Sequence, residues 1–319
     1  MRFAPYIIGG AIFIIPPLFM HSYLQGIAAK VLIFALFAMS LDLIYGYTGL
    51  WSLGHAVYFG VAGYTVGKLM VSYGINSFWI GLPLGILMAG LIAVIFGFIA
   101  LRVSGMYFLL VTFALGELLY NVVYKWEFLS TFAIAGVLGI SLPNLGIPWF
   151  SWSGITFYYF VFVIFVVCFF LLRRIINSSF GLSLQGIRED EGRMKSLGYN
   201  TWAYKYIAFI IAGLFAGVAG VLFAYYNGSI FPQDLGISAS ALVMVIVIIG
   251  GTGTLFGSII GAALILLLEH FMSLITPERW PLILGAVFIA SAMYARGGIG
   301  LYLLKLWKKV SEQYGIVKN

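Results

Sequence analysis

A chain of 319 residues with 63% hydrophobic residues, 8% charged residues and a mean hydropathy of +1.08 is not a soluble domain, which carries about 25% charge. It reads as an all-α, polytopic transmembrane helical bundle. The single cysteine, Cys168, excludes an intrachain disulfide. The net charge of +7 follows from membrane topology and calls for no nucleic acid.

Apolar runs predict about ten membrane segments, near residues 5–20, 27–45, 56–73, 78–101, 106–124, 154–172, 204–226, 237–250, 255–275 and 281–296. The run at 5–20 lacks a small-residue cleavage site and reads as a first span. The run at 237–250 is short for a full crossing and is expected to be re-entrant or broken. With a cytosolic N-terminus, 13 Lys and Arg fall inside and four outside (Lys30, Lys68, Lys125 and Arg279), the asymmetry of the positive-inside rule. Both termini are then cytosolic, and the basic residues at 305–309 form an anchor at lipid headgroups. The external segment 125–153, with Pro143, Pro148, Trp149 and Trp152, reads as an ordered cap. No linker divides the chain, so residues 1–319 read as one transmembrane domain.

Two stretches echo each other. GYTGLWSLGHAVYFGVAGY (46–64) and GGTGTLFGSIIGAALI (250–265) are both glycine-rich turns entering a helix with small residues on one face. Their turn glycines are Gly46, Gly49 and Gly54, and Gly250, Gly251, Gly253 and Gly257. Paired segments of this kind either line a transport path or pack helices tightly.

Charge concentrates in the loop 174–203. Arg188, Glu189, Asp190, Glu191, Arg193 and Lys195 are six of the chain's 27 charged residues, within eight positions. Leu184, Ile187, Met194 and Leu197 share one face of a single amphipathic helix, which Gly198 ends. The acidic run repels anionic headgroups, so the helix is expected to meet a protein on the cytosolic surface. The docking residues are Arg188, Glu189, Asp190, Glu191, Met194, Leu197 and Gly198.

Glu117 lies near the middle of its span, where a carboxylate costs several kcal/mol unless it is paired or meets water. It is read, with Thr112, Asn121 and Ser52, as lining a polar path or as an interhelical hydrogen-bond group. Asp42 and His55 sit at helix ends within reach of water and are read as structural. Lys68 and Glu269 snorkel to the outer boundary. His21, His55 and His270 are scattered, and no metal-ligand spacing, phosphate loop or second acidic cluster exists. Enzyme chemistry on diphosphates and an ion-coupled transporter using Glu117 remain rival readings. If ATP drives the protein, another chain hydrolyses it, and no cofactor is expected here.

Four stretches resemble the larger permease type of high-affinity branched-chain amino acid ABC importers. They are SLDLIYGYTGLWSLGHAVYFGVAGY (40–64), LRVSGMYFLLVTFALGELL (101–119), FGLSLQGIREDEGRMKSLGYNTWAYK (180–205) and IIGGTGTLFGSIIGAAL (248–264), with 212–220 and Pro232 in the same order. Three departures stand out. Residues 129–141 read LSTFAIAGVLGIS where such proteins carry a Thr-Gly-Gly-type turn. Asp42 stands where asparagine is common, and Trp51 is unusual in its turn. The resemblance implies a multi-pass protein of the bacterial or archaeal cell (inner) membrane, working with a second permease subunit. Two cytosolic ATP-binding subunits would dock at the loop, and an extracytoplasmic solute-binding protein would deliver the amino acid. Permeases for urea, short amides or sugars share this architecture.

Overall fold

The computed structural model describes residues 21–126, 136–146, 151–275, 280–294 and 298. Seven helical segments among them are long and apolar enough to cross a membrane: Ser22–Tyr45, Phe78–Ala100, Met106–Lys125, Gly154–Ile176, Thr201–Asn227, Pro232–Gly250 and Leu255–Ser273. These match seven of the expected spans. The run at 56–73 forms a helix of 16 residues, and 281–296 contributes one of 15, so both fall short by length. The first expected span, the basic residues at 305–309 and both termini lie outside the described residues. So does much of the external segment, at 127–135 and 147–150.

In chain order the helices are α1 (Ser22–Tyr45), α2 (Ala56–Val71), α3 (Phe78–Ala100), α4 (Met106–Lys125), α5 (Gly154–Ile176), α6 (Ser179–Glu189), α7 (Glu191–Ser196), α8 (Thr201–Asn227), α9 (Ile237–Gly250), α10 (Leu255–Ile275) and α11 (Trp280–Tyr294). At 24 residues, α1 is about 36 Å long and exceeds a hydrocarbon core of about 30 Å. Helix α5 starts on a capping box: Ser153 Oγ accepts from the Thr156 N–H, and the Ser153 N–H donates back to Thr156 Oγ1. Helix α8 starts on Asn200, whose Oδ1 accepts from the Ala203 N–H at 3.1 Å, and ends on Gly228 in the left-handed region.

Helices α1 and α8 form the buried axis of the bundle. Helices α2, α3 and α8 pack together, α10 and α5 flank α1, and α9 pairs with α10. Small residues set these distances. A Cβ on Gly220 of α8 would strike the Phe59 carbonyl of α2. On α9 and α10, a Cβ at Gly250 would strike the Gly257 carbonyl, and one at Gly261 the Ile246 carbonyl, so the two backbones touch. The segment at 237–250 is a 14-residue helix entered from a 3₁₀ turn, Pro232–Asp234, and with that turn it reaches the length of a crossing.

The connections gather at two ends. At one, the cap end, Val137–Leu138 (β1) pairs antiparallel with Ser229–Ile230 (β2), the one strand pair among the described residues of this otherwise helical fold. Ser77 bridges to Asn144 there, and the Ile140 N–H donates to the Gly228 carbonyl at 2.9 Å. At the other, the loop end, the turn after α1, the turn after α9 and helix α6 meet.

Candidate functional site

Three segments distant in sequence converge at the loop end. Asp42, one turn before the end of α1, is fully buried. Its Oδ1 accepts from the Gly253 N–H at 2.8 Å, which joins the two glycine turns recognised in the sequence. Both turns need glycine by conformation, since Gly49 and Gly253 have φ values of 77° and 76°. Arg188 of α6 reaches into the same place. Its Nη1 donates to the Gly46 carbonyl, and its Cγ lies against Gly49. Gly54 belongs to this packing as well: a Cβ there would collide with the Thr112 carbonyl.

The expectation that Asp42 and His55 sit within reach of water is overturned. Each side chain has no exposed surface, because the loop turns and α2 close over them. His55 Nε2 bonds Ser40 Oγ at 2.9 Å, and its ring stacks on Phe37. Sequence could not reveal this. In a helix that is apolar all round, periodicity does not say which face lies at the centre.

The expected single loop helix is two. Asp190 leaves the helical region and its Oδ1 accepts from the Arg193 N–H at 3.0 Å, ending α6 and starting α7. The expected apolar face divides accordingly. Leu184 and Ile187 are buried against the bundle, Met194 is half-buried with its sulfur over Gly186, and Leu197 is 67% exposed. Leu182, 64% exposed on α6, is an apolar group of this surface that the sequence reading missed. Gly198 follows α7 with φ 87°, the helix stop that was expected.

The acidic run is divided too. Glu191 is tied inside the chain: it accepts from Thr201 Oγ1 at 3.0 Å and pairs with Lys195 at 3.1 Å and with Lys205 of α8. Partial burial pushes its pKa up, but the hydrogen bonds from Lys205 and Lys195 outweigh this and hold the carboxyl down at about 2. Asp190 is occupied as a cap and with Arg193 at 3.7 Å. Among the described residues, Glu189 forms no ion pair; it is exposed, as Asp190 is.

Helix α4 carries the other candidate residues and is the least buried of the seven candidate spans. Thr112 faces inward, 3% exposed, donating to the Leu109 carbonyl and accepting from the Leu53 N–H at 3.3 Å. Glu117 is half-buried and Asn121 exposed. The Asn121 amide donates to the Glu117 main-chain carbonyl at 2.8 Å, leaving the carboxylate uncommitted to it. Thr112 therefore braces the first glycine turn, while Asn121 lies on the exposed side of α4 and Glu117 between the two. Ser52 is 2% exposed, and its buried hydroxyl has no partner among the described residues. At the cap end, Glu269 pairs with Lys30 at 3.3 Å across α10 and α1, where snorkelling alone was expected. Lys68 donates to Ser72 at 3.4 Å. Among the described residues, no three His, Cys, Asp or Glu side chains gather as metal ligands would.

A bundle of long apolar helices with a two-helix rider under paired glycine turns defines a multi-pass membrane protein. The family described as "Branched-chain amino acid transport system / permease component" matches residues 23–292, and the chain belongs to it. It is 30% identical to the high-affinity branched-chain amino acid transport system permease protein LivM of Escherichia coli, over 77% of this chain and 63% of that protein. The LivM of Salmonella typhimurium matches to the same extent. The autoinducer 2 import system permease protein LsrC of Yersinia pseudotuberculosis is 29% identical over 33% of this chain and 31% of its own length. The chain thus spans 63% of the LivM proteins it matches. No solved structure matches it. The resemblance seen in the motifs holds at the level of the family.

Proposed function

We propose that this chain is one of two permease subunits of an ATP-driven importer in the cell (inner) membrane, and that it carries amino acids, branched-chain ones foremost. The observation that bears most weight is the loop end. A short two-helix element stands under the two glycine turns, with its inner face fixed by Leu184 and Ile187 and with Leu182 and Leu197 exposed. Exposed apolar anchors ringed by charge suit a protein partner. That partner is a cytosolic ATP-binding subunit at residues 174–203, one of two. Both termini are cytosolic, the chain crosses the membrane about ten times with 237–250 broken, and the cap at 125–153 receives an extracytoplasmic binding protein.

The path runs along α4. Glu117 and Asn121 belong to a helix apolar and long enough to cross the membrane, Glu117 half-buried and Asn121 exposed, and contact with lipid there would cost several kcal/mol. A second permease subunit facing α4 gives them a polar surface, so the path lies between the two subunits.

Similarity to LivM over most of the chain supports the amino-acid cargo. The shorter likeness to LsrC keeps permeases for other small polar solutes, such as urea, short amides or sugars, as the second reading. Reconstitution with the ATP-binding subunits and binding protein tests the proposal. ATP-dependent leucine uptake that stops without the ATP-binding subunits is expected. Uptake driven by an ion gradient alone would overturn the reading in favour of a secondary transporter using Glu117.

A further inference from the structure

We propose that Arg188 is a transmission residue: it ties the docking helices to both glycine turns at once, so that a displacement of the loop reaches α1 and the α9–α10 pair together. This deepens the reading of the loop as an ATPase dock and rests on it. On the sequence alone Arg188 counted among the partner-facing charges. The geometry gives it another task. Its Nη1 donates to the Gly46 carbonyl, the residue that closes α1. Its Cγ lies 3.2 Å from where a Cβ on Gly49 would stand, and its Nη1 3.3 Å from where one on Gly253 would stand. Glycine at these positions is what lets the side chain lie flat against both turns.

The second half of the link is Asp42. One carboxylate oxygen holds the Gly253 N–H, while the other is buried without a hydrogen-bond partner among the described residues. The Arg188 guanidinium interacts electrostatically with this carboxylate. A planar fork of five donors can serve a carbonyl on one turn and face the acid on the other, whereas an ammonium offers a point charge. Helix α6 is rigidly seated through Leu184 and Ile187, so Arg188 moves with it. Both turns open directly onto long helices, α1 on one side and α10 on the other. The echo between 46–64 and 250–265 thereby acquires a physical meaning: its two turns are stapled by one buried acid and roofed by one cation from the dock.

The test uses the reconstituted complex of both permeases, the ATP-binding subunits and the binding protein, measuring radiolabelled leucine and ATP hydrolysis in the same vesicles. Arg188→Ala is expected to purify with its ATP-binding subunits, while leucine moved per ATP falls at least tenfold. Arg188→Lys should recover part of that ratio. Hydrogen exchange in 46–50 and 251–254 should rise together in Arg188→Ala, a readout that needs no transport. An unchanged leucine-to-ATP ratio, or exchange unchanged in both turns, would overturn the proposal. Loss of the ATP-binding subunits from Arg188→Ala would overturn it too, since Arg188 would then be a docking contact. Failure of the underlying importer reading is seen separately, in the wild-type complex, as leucine uptake that does not require ATP.

Discussion

Asp42 and Gly253 are 211 residues apart in the chain and 2.8 Å apart in space, carboxylate oxygen to backbone nitrogen. A backbone N–H bonded to a buried charged acceptor contributes about 1.5–3 kcal/mol, and breaking it leaves the donor unsatisfied. Asp42→Asn retains an oxygen acceptor and removes the buried charge, so its thermal unfolding in detergent should stay close to wild type. Asp42→Leu should lose about 1–3 kcal/mol. A leucine variant as stable as wild type would mean that the turn finds another acceptor.

Glu117 is to be tested against its neighbours on α4. Glu117→Leu should leave insertion intact and reduce leucine uptake, because an apolar side chain removes the acid from the path. Glu117→Gln, which keeps polarity, should fall between the two. Normal uptake by the leucine variant would remove the carboxylate from the transport mechanism.

Met194 and Leu197 bear on docking. Changing both to charged residues should abolish co-purification of the ATP-binding subunits and ATP-driven uptake, with membrane insertion retained. Leu182→Glu should weaken docking on its own, since that side chain is an exposed apolar group of α6. Glu189→Gln, at an exposed acid, should change affinity by about 1 kcal/mol or less. Full docking by the double variant would place the contact elsewhere.

The Glu191 junction predicts a pH response of the loop. Its carboxyl is held at about 2, below its ordinary 4.5, so the charged form is favoured by the fold. Its contribution is complete above pH 4.5 and is lost as pH falls towards 2. The wild-type loop should keep its resistance to proteolysis from neutral pH down to about 4.5, and Glu191→Gln should show increased cleavage across that range. Equal cleavage of the two would show that Lys195, Lys205 and Thr201 do not hold α7 through this acid.

Much of the bundle was readable from the sequence because long apolar runs leave no alternative to helices in lipid. The loop was readable as a charged, amphipathic helical element, though not as two helices. Leu184, Ile187, Met194 and Leu197 keep helical spacing across Asp190, and periodicity does not register a side chain that caps the next helix. The partners of Glu191 and Arg188 lie on other elements, so their tasks depend on packing that no local pattern encodes. Asp42 was visible as a departure from the common asparagine. Its burial followed only once α1 was seen at the axis, covered on all sides.

Helices α9 and α10 meet backbone to backbone at Gly250, Gly257 and Gly261. Such a pair has no rotational slack: neither rod can roll about its own axis without driving a carbonyl into its neighbour. In the importer proposed here the hairpin would move as one stiff unit about the 251–254 turn, carrying with it the Glu269 contact to Lys30 of α1. The bending that the cycle requires falls on the surrounding joints, and any side chain larger than hydrogen at those three positions would jam that unit rather than loosen it.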